Sequence, residues 1–228
     1  EALAGYQSAL DGKQDNSGTA MQQQANAAAN QAFEDAKQNK TSDVSNQPKV
    51  SYQLAYEKAM AAAQVATTSG AKAFTDGETE PTGDKALDKV SQVAYEAAKS
   101  GYEAARDGST ITSDEQKNPS FQAGVTAYHE SIQGHDHYVS GQKLPDNASA
   151  AEKAGYEAKS AYAIGQNDGD KPTDLSSKSE TYNDVFNNAY NDAKAKAQAG
   201  ANEAFDNTTP VSQDGWTKAQ KDAYAAGR

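Results

Sequence analysis

The chain has 228 residues, a formal net charge of −11 at pH 7 and no cysteine, which excludes disulfides and thiolate metal sites. Its 21 Lys and Arg are scattered rather than clustered, so the acidic balance argues against nucleic acid and anionic lipid as partners. Ile, Leu, Val and Phe supply only 23 residues, a fraction usual in disordered chains, but 44 alanines and 12 tyrosines point instead to folded helices with thin cores.

No stretch reaches the roughly 18 apolar residues of a membrane span, so membrane insertion is not expected. Neither a signal peptide nor an initiator Met precedes Glu1, and the expectation is an internal piece of a longer protein.

Proline and Asp-Gly punctuate the chain. All six prolines (Pro48, Pro81, Pro119, Pro145, Pro172 and Pro210) lie in polar stretches between alanine-rich segments, where a missing N–H is tolerated. Asp-Gly recurs at 11–12, 76–77, 107–108, 168–169 and 214–215; the first four follow helical patterns, where glycine can take the left-handed conformation that ends a helix. The fifth precedes Trp216 and reads as a helix start. These marks predict eight helices, over approximately 1–11, 18–38, 50–75, 84–107, 119–134, 147–167, 176–206 and 214–228.

The first helix carries Gly5-Tyr6 and stops at Asp11-Gly12. The second closes on Ala29-Asn30-Gln31-Ala32-Phe33, a motif echoed at the end of the third by Gly70-Ala71-Lys72-Ala73-Phe74 and of the seventh by Ala201-Asn202-Glu203-Ala204-Phe205. The third has a seam of small residues at heptad spacing: Tyr52, Tyr56, Ala59, Ala63, Ala66, Gly70 and Ala73. In the fourth the seam is Val90, Ala94, Ala97, Gly101, Ala104 and Gly108, and in the sixth it is Ala148, Ala151, Gly155, Ala158, Tyr162 and Gly165. The eighth repeats it with Trp216, Ala219, Ala223 and Ala226.

Gly-Tyr returns at Gly101-Tyr102 and Gly155-Tyr156, each time shortly before an Asp-Gly stop. An alanine methyl contributes only about 0.8 kcal/mol on burial, so stability must come from many contacts at close helix spacing. Predicted loops of about 8 to 12 residues favour antiparallel hairpins. The fold class expected is all-α, with the hairpins forming an Ala-coil-like bundle or a solenoid-like stack. One continuous array over 1–228 is expected, with candidate sub-units 1–83, 84–146 and 147–228.

The Gly-Tyr-x-x-Ala-x-x-Gly units, the Asp-Gly and proline punctuation and the abundance of Asn, Gln, Asp and Ala resemble helical repeats in large cell-surface, adhesin-like proteins of lactobacilli and related lactic acid bacteria. The resemblance implies an exported, Gram-positive, wall-associated protein, extracellular or at the cell surface. Its repeats would space a binding region from the cell or mediate adhesion and aggregation. Implied partners are host or bacterial surface glycan or protein, cell-wall polymer, and neighbouring repeats of the same chain.

Two constellations could carry more than structure. His129, His135, Asp136 and His137 gather every histidine of the chain into nine residues, a donor set that suits zinc or another divalent transition metal. On the predicted boundaries His129 sits on the fifth helix and the others just past it around Gly134; a solvated helix end explains the same residues through the dipole. Tyr95 and Tyr102, with Tyr156, Tyr182 and Tyr190, could line a groove that stacks on sugars or a protein partner. The opposing reading makes these tyrosines the core, supplying the area that alanine lacks.

The turn Asn167-Asp168-Gly169-Asp170 matches no twelve-residue calcium loop, and the sequons at Asn39, Asn147 and Asn207 matter only in a secreted eukaryotic protein. No phosphate loop, nucleophile elbow or dinucleotide fingerprint is present, so no enzyme and no obligate cofactor are expected. The function expected is a non-catalytic extracellular spacer, with a tyrosine-lined ligand-binding module and a histidine metal-binding domain as alternatives.

Overall fold

The computed structural model describes residues 1–14, 17–157, 175, 178–206, 212–216 and 218–227. Among the described residues there are nine α-helices and no strand, so the chain is all-α. It divides into two compact units, 1–128 and 129–228. That boundary falls inside the expected sub-unit 84–146.

The first unit begins with α1 (Ala2–Leu10) and α2 (Ala20–Lys37), followed by a π-helical turn (Lys49–Gln53) that leads into α3 (Leu54–Thr75). Then come α4 (Ala86–Asp107), the short α5 (Ser113–Lys117) and the first half of α6 (Pro119–Val139). α5 lies in a stretch expected to be loop; a capping box explains it, with Thr112 and Glu115 satisfying each other's backbone N–H groups at 2.7 and 3.3 Å. Thr19 and Gln22 form the same box ahead of α2.

Helix ends follow one pattern. After α1, α2, α3, α4 and α6 a residue with positive φ (Gly12, Asn39, Gly77, Gly108, Gly141) bonds back three residues, and its successor bonds back five. This pair of bonds satisfies carbonyls that the last turn leaves open. The expected Asp-Gly stops at 12, 77 and 108 behave this way, and Gly215 has a φ of 74° in the turn before the last helix. Asp168-Gly169 lies outside the described residues.

The core of the first unit is built from methyl groups. Ala25, Ala28, Ala29, Ala32, Ala59 and Ala63 have no exposed surface, and Phe33, Tyr56 and Val90 fill the space between them. Such small side chains gain little by transfer from water, so the backbones must come close for dispersion to contribute. Glycine permits it. A Cβ on Gly5 would strike the carbonyl of Gln22, one on Gly70 the carbonyl of Ser91, and one on Gly101 the carbonyl of Phe121. Gly124 presses in return on Ala98. Gly101 faces Phe121 and Gly124, three residues later, faces Ala98, three residues earlier, so α4 and α6 run antiparallel.

An aromatic chain crosses the same helices. Phe74 meets Tyr95 and Tyr102 edge to face at 5.4 and 5.8 Å, and Tyr102 meets Tyr128 at 5.6 Å. The rings supply the area that alanine cannot.

The second unit holds the rest of α6, then α7 (Ala150–Glu157), α8 (Glu180–Asp206) and α9 (Lys218–Gly227). Its core cluster is Ala154, Tyr182, Val185, Phe186, Ala189 and Tyr190, with Leu175 packed against it. Gly134 presses on Glu152 and Gly155 on Ser131, again a reciprocal antiparallel pair, and Gly200 presses on Gln220 of α9.

The expected boundaries lie within about four residues of the observed ones, except at the end of α6 and at the end expected for the sixth helix, 167, which lies outside the described residues. α6 runs on to Val139 because Gly134 is a point of close approach rather than a stop. α8 starts at Glu180, where Ser179 Oγ accepts the Tyr182 N–H at 3.1 Å. The seam of α3 is buried at Tyr56, Ala59, Ala63, Ala66, Gly70 and Ala73, with Tyr52 half-buried. In α4 burial drifts off the heptad, taking in Tyr95, Ala98 and Tyr102 while Gly108 is exposed, as a straight helix of 3.6 residues per turn requires. On α9 the buried residue is Tyr224, against Trp216 at 5.4 Å, and Ala226 is exposed. Of the sixth seam, Ala148, Ala151 and Gly155 are buried, and Ala158, Tyr162 and Gly165 lie outside the described residues.

Candidate functional site

The extension of α6 puts all three histidines on one helix. Six residues separate His129 from His135, about 9 Å along the axis, and eight separate it from His137, about 12 Å. At about 100° per residue, His135 and His137 point to nearly opposite sides. His129 is exposed. His135 Nδ1 lies 3.6 Å from Asp136 Oδ1, whereas His137 Nδ1 lies 3.6 Å from Glu152 Oε1 on α7. Among the described residues no three His, Cys, Asp or Glu side chains converge on a point where a metal ion could sit. The structure therefore brings His137 to Glu152 and His135 to Asp136, and does not bring the three histidines to one another.

The tyrosines lie inward. Tyr95, Tyr102, Tyr182 and Tyr190 are buried, Tyr102 to 1% exposure, and Tyr156 is half-buried. Tyr156 meets Tyr138 edge to face at 5.9 Å. On α8, Phe186 stacks between Tyr182 and Tyr190 at 6.0 and 6.4 Å, while Lys178 and Lys194 hold their ammonium groups over the outer two rings. Among the described residues these rings pack against protein, with Tyr156 partly open.

One buried acid was not singled out by its sequence context. Asp35, near the end of α2, is 5% exposed. Its Oδ2 accepts the Tyr56 hydroxyl at 2.7 Å and the Ser42 N–H at 3.1 Å, and its Oδ1 accepts Gln31 Nε2 at 2.7 Å. Burial works against the charge, but the hydrogen bonds from Tyr56, Ser42 and Gln31 outweigh it and hold the carboxyl below its ordinary value. Burial, followed by the neighbouring carboxylate, pushes the Tyr56 phenol up. The group ties the segment after α2 to α3.

Open space lies elsewhere in the first unit, where the end of α2, the middle of α3 and the start of α6 meet. A hollow of about 260 Å³ is lined by Asn39, Lys40, Thr41, Met60, Gln64 and Thr67. A second, of about 270 Å³, continues past Thr67, Thr68 and Pro119 to Ala71, Ser120 and Ala123. Asn39 Nδ2 donates to the Lys117 carbonyl at 3.0 Å and so ties the end of α2 to the segment before α6.

No acidic residue lines either hollow, although the chain has 32. The Lys40 ammonium donates to Gln38 Oε1 at 2.9 Å, and that of Lys72 to Asp76. The hydroxyls of Thr41 and Thr67 and the side-chain amide of Gln64 have no hydrogen-bond partner among the described residues. The trough thus has a polar half of Lys40 and neutral groups with open bonding capacity, and an apolar half of Ala71, Pro119 and Ala123.

Sequence reasoning missed these residues because Thr67 belongs to no motif and meets Asn39 and Pro119 only through the fold. The Asn167–Asp170 turn and the Asn207 sequon lie outside the described residues. No protein family, curated protein or solved structure matches the chain.

Proposed function

We propose that the chain is a non-catalytic repeat module of an exported surface protein, in which antiparallel helical hairpins stack along the sequence to space an adhesive region from the cell and to support adhesion or aggregation. The observation that carries this reading is the recurrence of one contact, a glycine laid on the backbone of a neighbouring helix, in α1/α2, α3/α4, α4/α6, α6/α7 and α8/α9. A repeat protein needs such a contact, because each unit buries its face only against its neighbour.

The side chains also favour structure over chemistry. The buried carboxylate of Asp35 is taken up by its donors, and the tyrosines fill cores. The resemblance to surface repeats of lactic acid bacteria supports an extracellular, wall-associated place and partners among surface glycans, proteins and wall polymers.

Mechanical extension of the full chain between two handles tests the reading. A stack should give way in several small steps, each releasing one or two helices, since nearest-neighbour contacts dominate. One all-or-none event releasing the whole length would overturn it.

A further inference from the structure

We propose that the trough around Thr67 in the first unit is a binding site for a short, neutral oligosaccharide. The assignment goes beyond the spacer reading and does not rest on it, since a stack of helices needs no ligand.

Three features of the lining select this class. First, apart from Lys40 the groups with open capacity are neutral. Thr41 and Thr67 can each donate and accept, and Gln64 offers two donors and an acceptor. Asn39 gives its Nδ2 to Lys117 and keeps its amide oxygen. A ligand that matches them presents several hydroxyls that both donate and accept, as a sugar edge does.

Second, the two ammonium groups sit on exposed side chains at the rim, that of Lys72 paired with Asp76 and that of Lys40 donating one N–H to Gln38, and the lining between them is uncharged. No acidic side chain lines the trough, although the chain has 32, so a ligand there meets groups that donate as well as accept.

Third, the polar and apolar halves lie side by side and share Thr67, Thr68 and Pro119. A pyranose has the same division, with C–H groups on one face and hydroxyls around its edge. Taken together, the two hollows fall within the roughly 300 to 1,000 Å³ typical of small-molecule sites. α3 and the start of α6 carry most of the lining, and the bond from Asn39 to Lys117 fixes the segment after α2 beside them.

NMR titration of the full chain with maltotriose, cellotriose and tri-N-acetylchitotriose, and with trigalacturonic acid as an acidic probe, tests the assignment. At least one neutral trisaccharide should shift the amide signals of Gln64, Thr67 and Thr68. Thr67→Val and Gln64→Leu should each weaken that binding about five-fold or more, the loss of one hydrogen bond to a ligand, with helicity unchanged. The site is overturned if no neutral probe moves these signals, if the affinity survives both substitutions, if the shifts centre on Tyr95, Tyr156 or Tyr182 instead, or if the acidic probe binds more tightly than every neutral one.

Discussion

A single added methyl group separates two kinds of glycine in this chain. At Gly101 and Gly124 it would collide with the backbone of the facing helix, and at Gly108 it would meet nothing within 4 Å but sit on a left-handed backbone. Gly101→Ala and Gly124→Ala should each destabilise the first unit by about 1 to 3 kcal/mol through overpacking, even though alanine gains about 1 kcal/mol in helix propensity. Gly108→Ala should cost about 1 kcal/mol, from backbone strain alone. Urea denaturation of the three variants checks the order, and a Gly101→Ala protein as stable as the parent would contradict the close packing.

Asp35 is the residue through which pH should act. Its carboxyl is held below the ordinary value when folded, so its contribution is complete above the unfolded value of about 3.9 and is lost as pH falls from there through the folded value. Asp35→Asn places an amide N–H or a weaker acceptor before the Tyr56, Ser42 and Gln31 donors and should cost about 1.5 to 3 kcal/mol at neutral pH. The variant should also lose part of the acid dependence of the melting temperature. A parent and variant with parallel acid limbs would show that the hydrogen bonds do not favour the charged form.

The helices themselves were legible where small residues repeat and stop signals are local. α3 shows its buried face as a seam from Tyr56 to Ala73, and Gly12, Gly77 and Gly108 end their helices where Asp-Gly stands. What was not legible depends on the facing helix. Gly134 looks like a stop from α6 alone, and only the nearness of Glu152 on α7 makes it a packing residue. Tyr224 rather than Ala226 is buried because Trp216 and α8 decide which face of α9 turns inward. The histidine cluster was conspicuous as composition, but helical spacing points its members apart. The trough around Thr67 left no local trace, since its walls come from segments far apart in the sequence.

Among these elements α8 relies most on one ring. Phe186 is 1% exposed and stacks between two tyrosines, so Phe186→Ala should cost about 3 to 5 kcal/mol in the second unit. Near-UV circular dichroism followed during thermal denaturation reads the loss directly. A shift small enough to match a surface substitution would mean that the stack is not the core of that unit.

Across the whole molecule, each compact unit has its own core. Heating should therefore not be two-state: the calorimetric enthalpy should exceed the van't Hoff enthalpy, and equality of the two would contradict independent units. The net charge of −11 sets a second expectation. Raising ionic strength from about 0.01 to 0.15 M shortens the Debye length from roughly 30 to 8 Å and screens self-repulsion, so the melting temperature should rise. A fall would mean that favourable ion pairs outweigh the repulsion.

The alanine and glycine seams have a further consequence for a chain that is stretched. When a helix pair held by leucines is torn open, it exposes sticky aliphatic surface that can capture a neighbouring strand before the pair closes again. Here the opened faces present methyl groups, bare backbone and separate aromatic rings, with few of the contiguous β-branched runs that seed aggregates. In the proposed role of spacer, such a chain would yield under load and re-form, because its opened faces offer little continuous aliphatic surface for another molecule to grip.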